Sequence, residues 1–309
     1  MPELPDIVVY IEALERRVVG REITGFRVAS PAVLRTYDPM YTSVVGETVT
    51  GLDRIGKRIV FELTGERWLV VHLMIAGRFR WFDEPGKAIP RKVGLAALDF
   101  EEGTLILTEQ GTKKRAGVWV FGDRESMEAE DRGGVEPLDV DRDGFAEALV
   151  AENRTLKRAL TDPRIFSGIG NAFSDEILWE AQLSPVRRTS QLSDVEISRL
   201  HRAVQSSLTR WTELLREQTG EGFPTKVTAF RPEMAVHGRY GEPCPVCGSP
   251  VQRIVYAENE ANYCVTCQTG GRLLADRVLS QLMKQDWPRT LEELEERKTG
   301  RSGDGESSG

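Results

Sequence analysis

The chain's four cysteines, Cys244, Cys247, Cys264 and Cys267, form a C-x2-C-x16-C-x2-C pattern. Each C-x2-C pair can turn two thiolates toward one ion, and four thiolates complete the tetrahedral shell of one structural Zn2+. Such a shell has no open coordination position, so its metal holds a small fold together and does not react. Gly248 and Gly270 follow the two pairs and suit tight turns, and VQRIVYAENEANY between the pairs reads as strand residues around a polar centre. A zinc-ribbon hairpin fits. A different chemistry is available at the start, MPELPD. Once Met1 is removed, Pro2 becomes a secondary amine at the chain end, and an α-amino group titrates at roughly 7.7–8.0, so a useful fraction is neutral and nucleophilic. Attack on a sugar C1′ would give an iminium. That electron sink acidifies the adjacent C2′ proton and permits elimination. Glu3 stands beside it as a candidate general acid or base. The third signal is residues 168–185, GIGNAFSDEILWEAQLSP. Gly168 and Gly170 permit unusual backbone angles or close approach. Asn171 opens a helix whose N-terminal N–H groups suit a phosphate. The blander readings are a Gly-rich turn with Asn171 as cap and a Met-Pro start with no role.

These residues need elements to position them. The chain has 309 residues and is 40% hydrophobic, enough for two or three units with real cores. No apolar run is long enough to span a membrane, and no basic-then-apolar leader opens the chain, so a cytoplasmic location is expected. The net charge of −7 argues against a nucleic-acid partner until its distribution is considered. Residues 123–153 hold eleven acids against three arginines, and 290–309 hold six acids against three bases, which leaves a net of +4 on the rest. A local basic face governs binding to a polyanion more than the total does. Ile7, Val8, Ile11, Leu14 and Val18 recur at helical spacing and predict a helix over 6–20. Short alternating runs such as RIVFEL and GTLILTE predict strands from about 21 to 121, a sandwich or barrel-like unit. The acidic stretch 123–143 reads as an exposed connector. Helical patterns dominate from Gly144 to about Gln218, followed by a loop over 220–232. A helix over 271–287 and a disordered Gly/Ser-rich tail over 299–309 complete the chain.

PELPD, the Gly-Ile-Gly-Asn turn and the cysteine module occur in one order over residues 2–270, and together they resemble the formamidopyrimidine-DNA glycosylase/endonuclease VIII family. The resemblance implies a multidomain α+β fold: an N-terminal β-sandwich with an N-terminal helix (2–122), the acidic connector (123–143), a helix–two-turns–helix domain (144–232), a zinc finger (236–272) and a C-terminal helix and tail (273–309). It implies base-excision repair. Oxidised bases are excised from double-stranded DNA, and the strand is nicked at the abasic site by Schiff-base β/δ-elimination. The protein acts as a monomer, near the nucleoid, on a damaged nucleotide flipped out of the duplex. By the same resemblance Pro2 is the nucleophile, Glu3 protonates the deoxyribose ring oxygen or shuttles protons, and Lys57 in RIGKRIVFEL contacts phosphate at the lesion and assists catalysis. Asn171 contacts a neighbouring phosphate, with Lys157, His72, Lys92, Lys114 and Arg115 as further DNA contacts.

The sequence departs from the family pattern in places that bear on lesion choice. The family's HLGMSG reads His72-Leu73-Met74-Ile75-Ala76-Gly77 here, so Ile75 stands where a gap-filling Met is usual, with Met74 beside it. DPRRFG becomes GTKKRAG, with Lys114 for an Arg and Ala116 for the Phe, a smaller apolar wedge for a kinked duplex. Glu260 replaces a phosphate-gripping Arg before the third cysteine, so either it points away or Arg253 or Arg272 supplies the charge. Asp6 replaces a Glu. Three other readings follow: an enzyme specialised for oxidised pyrimidines or abasic sites, a damaged-DNA-binding protein without turnover, and a zinc-ribbon protein of transcription or translation. Intact Pro2, Glu3 and Lys57 argue against simple binding.

Overall fold

The computed structural model describes residues 1–255, 260–275 and 288–300. The chain divides into two compact units, neither contiguous in sequence. The first comprises Met1–Asp141, Asp162–Gly170 and Leu208–Ala229; the second comprises Arg142–Thr161, Asn171–Ser207 and Phe230–Gly309.

The first unit begins with helix α1 (Leu4–Val18), which starts slightly before the predicted position because Glu3 and Asp6 form a capping box and Pro5 sits in the first turn. Eight strands follow: β1 (Gly25–Val28), β2 (Val49–Ile55), β3 (Arg58–Leu63), β4 (Arg67–His72), β5 (Gly77–Phe82), β6 (Gly94–Phe100), β7 (Gly103–Glu109) and β8 (Gly117–Phe121). They form two antiparallel four-stranded sheets, ordered β1-β6-β7-β5 and β2-β3-β4-β8. Side chains from both sheets and α1 share one core, including Ile7, Tyr10, Leu14, Phe26, Ile59, Phe61, Leu69, Phe79, Leu98 and Val118. The strand period of two decides which face each residue takes. Ile59, Phe61 and Leu63 enter that core, whereas Val60 and Val70 turn to the opposite face and pack with Phe121 and Met127.

Met127 lies on helix α2 (Arg124–Glu128), inside the acidic stretch expected as an exposed connector. The stretch is anchored because it has something to bury and something to pair. Met127 covers the outer sheet face, Glu130 pairs with Arg58 at 3.0 Å, and Glu136 pairs with Arg54. Also in the first unit, Phe223 packs on Tyr10 at 5.7 Å, and Arg216 grips Glu12 through two hydrogen bonds of 2.6 and 2.9 Å.

The second unit contains α3 (Arg142–Val150), α4 (Leu156–Thr161), α5 (Asn171–Glu180) and the first part of α6 (Asp194–Thr219). The turn holding Cys244 and Cys247 leads into the hairpin β9 (Val251–Val255) and β10 (Glu260–Cys264), and β10 and then α7 (Val265–Thr269) carry Cys264 and Cys267. A further helix, α8 (Leu291–Gly300), packs Leu291 and Leu294 against Ile254, Tyr263 and Leu273. Of the helix expected over 271–287, residues 271–275 are non-helical and the remainder falls on residues outside those described, as does 301–309 of the expected tail. Among the described residues, no helix is long and apolar enough to cross a membrane.

Candidate active site

In the first unit the chain end, the tip of one hairpin and a glycine loop converge. Pro2 and Glu3 are buried, Glu3 only 2% exposed. The Glu3 backbone N–H donates to Asp6 Oδ2 at 3.0 Å, and its carboxylate Oε2 accepts from the Gly170 N–H at 2.8 Å. Leu4 N–H donates to the Gly168 carbonyl at 3.0 Å. Gly168 has φ +77, and a Cβ there would lie 2.8 Å from the Leu4 side chain, so glycine is required on two counts. At Gly170 the requirement is close approach. A Cβ would lie 2.4 Å from Glu3 Cδ and 2.7 Å from Lys57 Nζ. The glycine therefore leaves room for a carboxylate and an ammonium side by side against bare backbone.

Lys57 reaches this point from the two-residue turn Gly56–Lys57, flanked by the Ile55–Arg58 pair. Only Gly56 takes a positive φ (+60), the pattern of a II′ hairpin turn. Arg54 braces the turn by pairing with Glu136 and donating to Ser167 Oγ at 3.3 Å and the Gly56 carbonyl at 3.4 Å. The α-amino group of Met1 stands in the same neighbourhood. Burial pushes its pKa below the ordinary 8.0; Glu3 and Asp6 oppose the shift and Arg78 and Lys57 add to it. The environment of this chain end thus favours an uncharged amine.

His72 closes β4 across from Arg58. Burial first, then Arg58 and Lys57, push its pKa down to about 4, and its Nδ1 accepts the Met74 N–H at 3.2 Å. The ring is a neutral acceptor that folds the following turn. In that turn Met74 holds φ +53, and Ile75 is 55% exposed. Arg78 ties the turn by donating to the Ile75 and Gly77 carbonyls. Lys92 and the Arg115 side chain are exposed, and Lys114 donates to the Glu109 carbonyl. Buried Glu109 holds this loop by accepting the N–H groups of Arg115 and Ala116 at 2.8 and 3.0 Å.

In the second unit, Asn171 is the first residue of α5. Its side-chain amide donates to the Glu260 carbonyl at 3.0 Å. Its own carbonyl accepts Lys157 Nζ at 2.6 Å. Lys157 is only 7% exposed, and its amine also pairs with Asp175 Oδ1 at 2.5 Å. The structure thus places this expected DNA contact inside the unit, under the Asn171 turn. Asp175 Oδ2 meets His237 Nδ1 at 2.7 Å and the Asn262 N–H at 3.1 Å. Glu176 accepts the N–H groups of Ala235, Val236 and His237 at 2.8–2.9 Å. Burial still raises its pKa against those three bonds.

The four cysteine sulfurs lie within 4.8 Å of one another. Cys247–Cys264 is 3.3 Å and Cys244–Cys267 is 4.0 Å. A tetrahedral ion with ~2.3 Å bonds has sulfur–sulfur edges of about 3.8 Å, so the residues fit one zinc. Gly248 (φ +75) and Gly270 (φ +61) turn the two knuckles in the left-handed region. Trp179 Nε1 donates to Cys244 Sγ and the Cys267 N–H donates to Cys264 Sγ, each at 3.4 Å.

Residues 1–115 match the formamidopyrimidine-DNA glycosylase N-terminal domain, 134–220 the formamidopyrimidine-DNA glycosylase H2TH domain, and 241–270 the zinc finger found in FPG and IleRS. A formamidopyrimidine-DNA glycosylase of Thermus thermophilus is 34% identical over 281 residues, covering 88% of this chain and all of that protein. The chain belongs to the formamidopyrimidine-DNA glycosylase family. A mutant of the Lactococcus lactis FPG in complex with a Fapy-dG-containing DNA superposes with a TM-score of 0.75 at 26% identity, covering 87% of this chain and all of that one. The wild-type Lactococcus lactis FPG in complex with an oxidised-pyrimidine-containing DNA gives 0.76 at 26% identity, with the same coverage. The multidomain α+β fold, with its β-sandwich, H2TH domain and zinc finger, is that of the glycosylase family.

Sequence reasoning missed Asp175, Glu176 and His237, which lock α5 to its surroundings. One local signal was available. Asp175 and Glu176 lie between Phe173 and Ile177, and two adjacent acids flanked by apolar residues need partners where that stretch is buried.

Proposed function

We propose that this chain excises oxidised bases from double-stranded DNA and nicks the strand at the abasic site, with the N-terminal amine as nucleophile. The observation that carries this is the chain end itself: buried Pro2 is followed by the buried Glu3 carboxylate, with a lysine held beside that carboxylate against Gly170. Removal of Met1 puts the secondary amine of Pro2 at that end. Its lone pair attacks C1′ of the damaged nucleotide, the glycosidic bond breaks, and the base leaves with a proton. Glu3 protonates the ring oxygen, which opens the sugar and yields the iminium. The iminium acidifies the C2′ proton, whose loss expels the 3′ phosphate by β-elimination; loss of the C4′ proton from the resulting conjugated iminium then expels the 5′ phosphate by δ-elimination. Lys57 balances the phosphate charge beside the reacting sugar, and Asn171 binds a neighbouring phosphate. Cys244, Cys247, Cys264 and Cys267 hold one structural zinc that fixes the hairpin and takes no part in the steps. Work on chromosomal DNA as a monomer would put the protein with the nucleoid, in the cytoplasm.

The test is borohydride trapping on a duplex with one abasic site, using chain freed of Met1. A covalent adduct that disappears in P2G supports the reading. A processed chain that binds the duplex and gives no adduct would leave a damaged-DNA-binding protein. A panel of oxidised purine and pyrimidine duplexes then tests lesion choice, on which the exposed Ile75 of the Met74-Ile75 turn bears in this reading, whereas Ala116 is buried in the core.

A further inference from the structure

Arg78 lies on β5, the edge strand of its sheet, and its backbone carbonyl accepts from Thr108 Oγ1 at 3.2 Å. Strand alternation turns Phe79 into the core and leaves Arg78 half-buried on the other face. From this rigid base one guanidinium reaches two irregular segments. Nη1 donates to the Gly77 carbonyl at 2.6 Å and the Ile75 carbonyl at 3.2 Å, which closes the turn between β4 and β5. Nε donates to the Val227 carbonyl at 2.6 Å, on the segment that follows α6. The other end of that segment is tied to α1. Arg16 and Arg17 donate to the Gly220 and Glu221 carbonyls at 3.4 and 3.0 Å, and Arg17 lies over the Phe223 ring at 5.5 Å. Pro224 and Val227 are buried, whereas Thr225 and Lys226 between them are exposed. Neither segment has a helix or strand ladder of its own, so each depends on such clips for its position. Arg78 is the clip they share. Burial chiefly lowers the pKa of the Met1 amine and Arg78 adds to the shift, so this guanidinium stands close to the chain end. All of these residues belong to the first unit.

We infer that Arg78 is a specificity-determining positioning residue of the proposed excision: it fixes the Ile75 turn and the 220–227 segment against one another as two walls around the damaged base. This rests on the reading of the chain as a glycosylase. A base joined to C1′ stands one bond from the carbon that the terminal amine attacks, so it falls among the side chains held beside the chain end. One wall is apolar at Ile75, and the other is polar at Thr225 and Lys226. A guanidinium suits the clip because its planar fork holds donors in fixed directions toward carbonyls on two segments, which an ammonium on a flexible stem does less well. An abasic site brings no base to these walls, so Arg78 matters more to base release than to strand nicking.

The experiment compares single-turnover rates of wild type, R78M, R78K and R80M, all freed of Met1, on duplexes with an 8-oxoguanine, a 5-hydroxycytosine or a natural abasic site. R78M keeps the aliphatic stem and loses every donor. R80M removes an exposed arginine from the same strand and controls for charge. Trypsin cleavage after Lys226, located by mass spectrometry, reads the segment directly. In R78M, excision of the preferred lesion should fall roughly tenfold more than abasic nicking does, and cleavage after Lys226 should quicken several-fold. R78K should recover part of the excision rate, and R80M should match wild type. Equal losses of excision and nicking in R78M, or no loss of either, would overturn the inference and leave the glycosylase reading standing. Should R78M melt well below wild type, the excision-to-nicking ratio of R78K decides, and an unchanged ratio overturns the inference. A wild type that neither excises nor nicks would end the glycosylase reading and this inference with it.

Discussion

Replacing Gly170 by alanine tests the working geometry of the N-terminal centre with one methyl group. The new Cβ would fall 2.4 Å from Glu3 Cδ, 2.5 Å from Glu3 Oε1 and 2.7 Å from Lys57 Nζ, whereas ordinary contact begins at 3.4 Å. Both side chains must retreat, Glu3 by roughly 1 Å, and a misplacement of that size costs on the order of 10²-fold in rate. This corresponds to about 2.7 kcal/mol of lost transition-state stabilisation. The backbone N–H that donates to Glu3 Oε2 is retained in the variant, so the loss reports position and not a missing bond. The clashing atoms are side-chain ends, so the fold should lose only about 1 kcal/mol or less. Single-turnover excision and nicking on lesion and abasic duplexes, with thermal melting alongside, read the two effects separately. Wild-type rates in a folded G170A chain would refute the claim that Glu3 and Lys57 act from where the structure holds them.

Other consequences follow from the same network of contacts. K157A leaves Asp175 buried without its cation and should cost about 3–5 kcal/mol in denaturant melts; a change near zero would mean that the Lys157 amine is not engaged inside the unit. His72 titrates near 4 in the fold against an ordinary 6.5, so the unfolded chain binds protons more readily between those values and stability falls as pH drops through that window. The loss amounts to at most about 3 kcal/mol for this half-buried ring, and H72Q should show a correspondingly flatter pH–stability curve. Chelation should release one zinc per chain, abolish duplex binding and change the emission of Trp179, whose indole N–H contacts Cys244. Full duplex binding by zinc-free protein would remove the hairpin from the interface.

Much of the candidate site was legible because it is local in sequence. The C-x2-C-x16-C-x2-C spacing announces a four-thiolate site, since two knuckles and a hairpin of that length bring the sulfurs together. Pro2 and Glu3 were legible because a chain-terminal amine has its own pKa. Gly168 and Gly170 stood out because two glycines so close mark a backbone that a side chain would obstruct. Strand and helix positions followed the apolar period, as in β3, where Ile59, Phe61 and Leu63 share one face.

What local pattern could not supply was partnership. A lysine at position 157 carries the same signature whether it faces solvent or an acid, and only the fold brings Asp175 against it and makes burial tolerable. Glu260 looked like a repulsive charge at a phosphate site until the hairpin register put Arg253 within 3.2 Å of it. The acidic stretch looked solvated until Glu130 and Glu136 met Arg58 and Arg54. Residue types and spacing determined which chemistry this chain carries. Tertiary structure alone decided which charges are neutralised and which remain for a ligand, because the cost of a buried charge depends on partners distant in sequence.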